Sequence, residues 1–238
     1  MAEHHQEQRA APSPRQWGVV GGTFWAFVAF FLPQCALVPF LGFFEALPID
    51  RNAKLFIVQG IAELATVFVL WAIIKQLYRA DFKSIGLGRF NAGLLGWVVL
   101  AFPAYLIAST FFSNIAAHIF NIDLTQQQNI GYSNPNGFEL TLTFVALVLL
   151  APVVEETLFR GFLFKAFRRT FGFWAGAVGV SLLFALAHGQ ANVGIDVFVL
   201  SMFLCYLREK TDSLWPSIAL HATKNLVAFI FLFIMKVN

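Results

Sequence analysis

The sequence predicts an all-α fold, a polytopic transmembrane helical bundle of about seven spans. Three observations predict it. The 238 residues are 58% hydrophobic with a mean hydropathy of +0.71, and only 12% are charged. Apolar runs of membrane-crossing length recur along the chain. Prolines and basic residues fall at their ends or between them. A soluble domain carries about 25% charged residues, so this chain cannot clothe its surface in water.

Crossing a bilayer takes about 20 residues at a rise of about 1.5 Å each. The apolar segments run over 17–46, 55–78, 92–120, 138–164, 172–189, 193–207 and 214–235. The first holds Pro33 and Pro39 and the third holds Pro103, so each is expected to kink or break there. The sixth is short and carries Asp196 near its start, which predicts a tilted or partly unwound helix. No repeat and no low-complexity linker divides the chain. Residues 17–238 read as one membrane-embedded domain, and 1–16 as a disordered polar tail. His4 and His5 in that tail bind metal weakly at most. No small-residue cleavage site follows a short apolar stretch at the start, so the first span is expected to stay as an anchor.

The formal charge of +3 does not point to nucleic acid, because the basic residues are spread over short connections. Arg9 and Arg15 precede the first segment, and Lys75, Arg79, Lys83 and Arg89 flank the connection from second to third. Lys165, Arg168 and Arg169 follow the fourth, and Arg208 and Lys210 follow the sixth. The opposite loops hold Arg51, Lys54 and the terminal Lys236. The positive-inside rule then places the amino terminus in the cytoplasm. Trp17, Trp97, Trp174 and Trp215 lie near segment ends and read as interface anchors. The 29 phenylalanines read as packing and lipid-facing bulk. Cys35 and Cys205 sit in apolar runs and suggest neither a disulfide framework nor a zinc knuckle.

Ionisable groups inside a membrane cost roughly 2.5–3.5 kcal/mol each on insertion scales, so they need partners or a wet cavity. Glu155, Glu156, Arg160, His188, His221, Lys224 and Asn225 are the candidates. Glu156 and Arg160 are four apart on one helix face and are expected to pair, with Phe184 and His188 at the same spacing. Glu155 points about 100° away from Glu156 and is left to face a cavity, although small rotations would let either carboxylate serve Arg160. A hairpin turning at Phe171-Gly172 brings Glu155 and His188 to one depth. Gly172, Gly176 and Gly179 would permit close helix approach. His221 and Asn225 make a second pair at helical spacing. Gln59 and Glu63 read first as interhelical hydrogen-bonding groups, and Asn192 and Asp196 as helix-end caps or substrate contacts.

An apolar setting raises a carboxylate's pKa and suits it to general-base work. Glu155 with His188 could hold and deprotonate one water, and His221 with Asn225 could stabilise an oxyanion. No serine-protease elbow, H-E-x-x-H motif or Gly-rich phosphate loop is present. Zinc remains open in the ligand types, with no metal set firmly assigned; Glu155, His188 and His221 would be the ligands.

The segment 140–229 resembles the CPBP family, the CAAX prenyl protease and bacteriocin-processing (Abi) intramembrane endopeptidases. Its E-E-x-x-x-R motif matches Glu155, Glu156 and Arg160; F-x-x-x-H matches Phe184 and His188; H-x-x-x-N matches His221 and Asn225. The resemblance implies a protease core over about 138–235, in the last four spans. It implies cleavage of a peptide bond near the cytoplasmic face by water that Glu155 and His188 activate. His221 and Asn225 would stabilise the tetrahedral intermediate, and Glu156, Arg160 and Phe184 would support. The implied substrate is a membrane-associated or lipid-modified protein or a hydrophobic peptide, with CAAX-type processing among the options. Either no cofactor or a divalent metal such as zinc fits. Lys224 departs from the family pattern: it could snorkel, pair with Glu156, or weaken Glu155. The rival readings are a transporter or proton relay using the same Glu and His, and a noncatalytic membrane scaffold. The partners expected are membrane lipids and the substrate. The compact chain points to a bacterial cytoplasmic membrane rather than the endoplasmic reticulum.

Overall fold

The structure is a computed structural model that describes residues 15–88, 90–126, 128, 130–135 and 137–236. Of the tail read from the sequence, 1–14 lie outside the described residues, with His4, His5 and Arg9, as does Arg89. The described residues are helical and contain no strand. The helices are α1 (Val19–Leu37), α2 (Leu41–Glu45), α3 (Arg51–Ala72), α4 (Gly96–Phe120), α5 (Gly137–Phe144), α6 (Ala151–Glu156), α7 (Phe164–Ala187), α8 (Ala191–Thr211) and α9 (Trp215–Phe229). Wider π-wound turns follow α3, α5, α6 and α9, at Ile73–Leu77, Val145–Leu150, Thr157–Leu163 and Ile230–Ile234.

Among the described residues, six helical stretches are long and apolar enough to cross a membrane. The expected fourth and fifth segments run together as one helical stretch, Gly137–Ala187, 51 residues, which is counted once although it has two arms. One residue does the work of a loop there. Gly172 stands at φ 75° and ψ −177°, a conformation that L side chains rarely adopt. The chain folds back at this point. The rings of Phe159 and Phe184, 25 residues apart in sequence, have centroids 4.9 Å apart. A Cβ added to Gly176 would stand 2.8 Å from the backbone nitrogen of Arg168, so the two arms touch through backbone.

Two other expectations are corrected. The helix is continuous through Pro33 and Pro103, and only Pro39 coincides with a change of winding, a 3₁₀ turn over Val38–Phe40. The sixth segment is a regular 21-residue helix, not an unwound one, since the carboxylate of Asp196 finds partners on neighbouring helices.

The core has two parts. One gathers Leu70, Phe162, Phe184 and Val197 between α1, α3 and the hairpin. The other gathers Tyr105, Leu200, Leu204 and Leu220 where α4, α8 and α9 meet. Around them stands a girdle of exposed large apolar residues, among them Phe24, Val99, Leu100, Ile107 and Leu186, which is the surface a bilayer would cover. Trp17 is not among the exposed anchors. It is buried, stacks on Phe162 with centroids 4.9 Å apart, and donates from Nε1 to the Phe162 carbonyl at 2.9 Å. Trp174 is exposed and Trp215 donates to the Gly88 carbonyl. Both cysteines are free; Cys205 is buried, whereas Cys35 is exposed.

The basic connections meet at one end of the bundle. Arg15 donates its amide to the Tyr78 carbonyl, Lys165 Nζ donates to the Ser84 carbonyl, and Arg168 pairs with Glu209. Arg51 and Asn52, at the start of α3, bond Ser133 in a different loop.

Candidate active site

The site is built where α6, α7 and α9 face one another. Glu156 and Arg160 are both fully buried, and their side chains pair at 2.9 Å. Arg160 also lies over the Phe184 ring, its Cζ 4.2 Å from the centroid, so the guanidinium has a π face and a carboxylate as partners. The Glu156 oxygen that Arg160 binds also lies 2.9 Å from His221 Nδ1. One carboxylate therefore neutralises an arginine on its own helix and orients an imidazole on another. The sequence predicts the first pairing but not the second, because nothing in helical spacing reports contacts between helices.

Glu155 has a different environment. Its side chain is partly accessible, and its Oε2 lies 3.8 Å from His221 Nε2. That oxygen is itself buried and has no hydrogen-bond partner among the described residues. Each carboxylate keeps a buried Oε2 without a partner, and what separates them is place: Glu156 is sealed in with Arg160 and His221 on its Oε1, whereas Glu155 is partly accessible.

His188 stands at the end of α7, its Nδ1 2.8 Å from the Phe184 carbonyl. Its ring packs edge-on against Phe184 at 4.8 Å, and His221 packs on the same ring at 5.8 Å. Phe184 is the common floor beneath both imidazoles. The carbonyl accepts from Nδ1–H, which leaves Nε2 of neutral His188 with its lone pair free.

Asn225 lies one turn after His221, and its Nδ2 donates to the Leu147 carbonyl at 2.8 Å. The local winding explains why that carbonyl is available. In the π-wound turn before α6, the Ala151 amide bonds the Ala146 carbonyl, five residues back. The next amide in that pattern would serve Leu147, but residue 152 is proline and has no N–H. Asn225 supplies the missing donor. Pro152 was a readable signal for this contact, and π-wound turns recur at functional sites.

Lys224 takes none of the routes open to it in the sequence. Its Nζ lies 3.6 Å from Asp196 Oδ2 on α8. The other oxygen of Asp196 accepts from the Tyr105 hydroxyl at 2.6 Å and from the Ser109 hydroxyl, both on α4. This cluster ties three helices beside the site, and Tyr105 and Ser109 had no distinguishing sequence signal. Asn192 binds the Gln126 carbonyl at 2.6 Å, anchoring a loop to the start of α8. Gln59 bonds Glu63 within α3 at 2.7 Å and accepts from Tyr132 at 2.9 Å, in place of the interhelical bond read first.

Among the described residues, no three His, Cys, Asp or Glu side chains are gathered as a metal-holding set. The Nδ1 atoms of His188 and His221 are already engaged. That engagement leaves the Nε2 atoms, and it is through Nε2 that His188 and His221, with Glu155, would hold a metal.

Residues 137–227 match the family model described as "Type II CAAX prenyl endopeptidase Rce1-like". Over these residues the chain is similar to the CAAX prenyl endopeptidase family. The match contains α6, α7, α8 and the polar part of α9, so every motif of the CAAX-protease segment discussed above falls inside it. The chain is also 31% identical over 98 residues to an "Uncharacterized 24.3 kDa protein" of Escherichia coli, covering 39% of this chain and 45% of that relative. The match therefore spans less than half of the relative's length. No solved structure matches the chain.

Proposed function

We propose that the chain is an intramembrane endopeptidase that hydrolyses a peptide bond of a membrane-associated or lipid-modified protein, or of a hydrophobic peptide. The observation that carries this reading is the contrast between the two glutamates. Glu156 is wholly buried and its Oε1 is shared by Arg160 and His221, while Glu155 is partly accessible and its Oε2 stands only beside His221 Nε2, at 3.8 Å. A buried acceptor of this kind takes a water where the site is polar and roomy enough.

In this reading Glu155 and His188 Nε2 hold the water. As its oxygen attacks the scissile carbonyl, Glu155 takes one proton and the carbonyl oxygen becomes an oxyanion. His221 gives its Nδ1–H to Glu156, so its Nε2 donates only in the imidazolium form. While Glu155 is charged, that donor faces Glu155. Once Glu155 is neutral, the donor is released toward the oxyanion. The second amide proton of Asn225 provides another donor, with the first fixed on Leu147. Collapse of the intermediate breaks the C–N bond, and Glu155 passes its proton to the leaving nitrogen. One water is consumed, and a carboxylic acid and an amine are formed, which exchange a proton to give carboxylate and ammonium.

The basic end of the bundle is the cytoplasmic side in this reading, by the positive-inside rule. A bacterial cytoplasmic membrane is the setting we infer. The test is cleavage by the purified chain in liposomes, against a panel holding a prenylated CAAX peptide, its unmodified form and hydrophobic peptides, with and without chelator. A general base contributes about 10²–10⁴-fold. Glu155→Gln is expected to lose that factor while keeping the wild-type helical content. Undiminished turnover by Glu155→Gln would overturn the assignment, and loss of wild-type turnover with chelator would make the reaction metal-dependent.

A further inference from the structure

At the basic end, a cavity of about 490 Å³ opens between the 82–85 turn, the hairpin and the end of α8. Its size falls in the roughly 300–1,000 Å³ range of small-ligand sites. Five cations line it: Lys83, Arg160, Lys165, Arg168 and Arg208. Only two carboxylates do so. Glu209 is taken by Arg168 at 2.6 Å, and Asp212 by Arg208 at 2.8 Å while remaining 96% exposed. The cavity therefore carries surplus positive charge.

Donors in it are uncommitted. Lys83 has no ion pair among the described residues, and Lys165 Nζ spends one proton on the Ser84 carbonyl. Arg208 Nε is buried without a partner, as are Nε and Nη2 of Arg160, a side chain with no exposure at all. The site is also built rather than incidental. Gly86, at φ 99°, lets its loop lie on Arg208, and any Cβ there would stand 2.9 Å from the guanidinium.

We propose that this cavity binds a phosphate group, supplied by the headgroup of an anionic membrane lipid. Basic pockets between transmembrane helices on the cytoplasmic side suit such headgroups. Arginine forks with lysine point charges are the donor set that phosphate oxygens select. The exposed apolar girdle leaves acyl chains a surface to lie on beside the cavity. Occupancy supplies counter-charge to a place where Lys165 and Arg208 stand close together. The binding does not depend on the proteolytic reading.

The test is thermal unfolding of the full chain in phosphatidylcholine nanodiscs, titrated with phosphatidylglycerol or, separately, with inorganic phosphate. Phosphatidylglycerol is expected to raise the unfolding temperature of the wild type. In K83Q/K165Q its half-saturating mole fraction is expected to rise about fivefold for each lysine removed. Both lysines are exposed, and neither belongs to the machinery of the active site. Should the double variant fail to fold, K83Q alone is expected to give the single fivefold rise. Equal protection of wild type and variants by phosphatidylglycerol, or no protection by either phosphate source, would overturn the proposal. Protection by inorganic phosphate alone would overturn the lipid as the source and keep the phosphate site.

Discussion

His221 Nδ1 lies 2.9 Å from Glu156 Oε1 across the interface between α9 and α6. The same oxygen holds Arg160, so three ionisable side chains from two helices share one contact point below the surface. Arg160 in turn rests on Phe184, which carries both imidazoles. The three motifs seen in the sequence are thus one object: the E-E-x-x-x-R arginine and glutamate position the two histidines of the other motifs.

Removing one member of a buried ion pair leaves an uncompensated charge and costs about 3–5 kcal/mol. Glu156→Gln is therefore expected to unfold at a clearly lower temperature than wild type. Glu155→Gln, whose side chain is partly accessible and lacks a bond on Oε2, is expected to stay close to wild type. Both should lose turnover. Thermal unfolding of the two variants in detergent checks this; equal destabilisation would mean that the two carboxylates are not divided as described.

The helical class and the order of the chemical groups were legible because charges inside apolar runs stand out against their surroundings. The Glu156–Arg160 pair followed from spacing on one helix. Contacts between helices were not legible: His221 with Glu156, and Lys224 with Asp196, join residues 65 and 28 positions apart. Tyr105 and Ser109 were missed because a tyrosine and a serine in a membrane helix are unremarkable until a carboxylate is found opposite. The turn at Phe171-Gly172 was legible, and Gly172 alone makes it, so that the fourth and fifth segments form one 51-residue helical stretch folded back on itself.

Lys224 and Asp196 are expected to be energetically coupled. Their 3.6 Å pair is largely shielded, and Tyr105 and Ser109 hold the carboxylate in place. A double-mutant cycle of Lys224→Met and Asp196→Asn should give an interaction energy of about 0.5–3 kcal/mol. Additive effects of the two substitutions would show that Lys224 makes no net contact there.

The hairpin predicts a ranking of glycine substitutions. A Cβ at Gly176 meets backbone of Arg168 at 2.8 Å, which cannot rotate away, whereas one at Gly179 meets the Phe167 ring at 2.9 Å. Gly60 on α3 has open space. Overpacking costs roughly 1–3 kcal/mol, and Ala improves on Gly within a helix by roughly 0.5–1 kcal/mol. Gly176→Ala should destabilise most, Gly179→Ala less, and Gly60→Ala not at all. Unfolding temperatures of the three proteins test the order, and a tolerant Gly176→Ala would contradict the close approach of the two arms.

Asn225 separates positioning from chemistry. Its amide has two protons, and the bond to the Leu147 carbonyl uses one of them to fix the side chain. If the other meets the oxyanion, its effect belongs to the transition state and not to substrate binding. Loss of one such donor lowers kcat by about 10²–10³-fold. Asn225→Ala is therefore expected to show that loss in kcat with KM little changed. Asn225→Asp, which keeps the shape but brings a carboxylate against both the Leu147 carbonyl and the developing charge, is expected to be at least as impaired. Steady-state kinetics on whichever panel peptide is cleaved separates the cases. A rise in KM at unchanged kcat would instead make Asn225 a substrate-binding group.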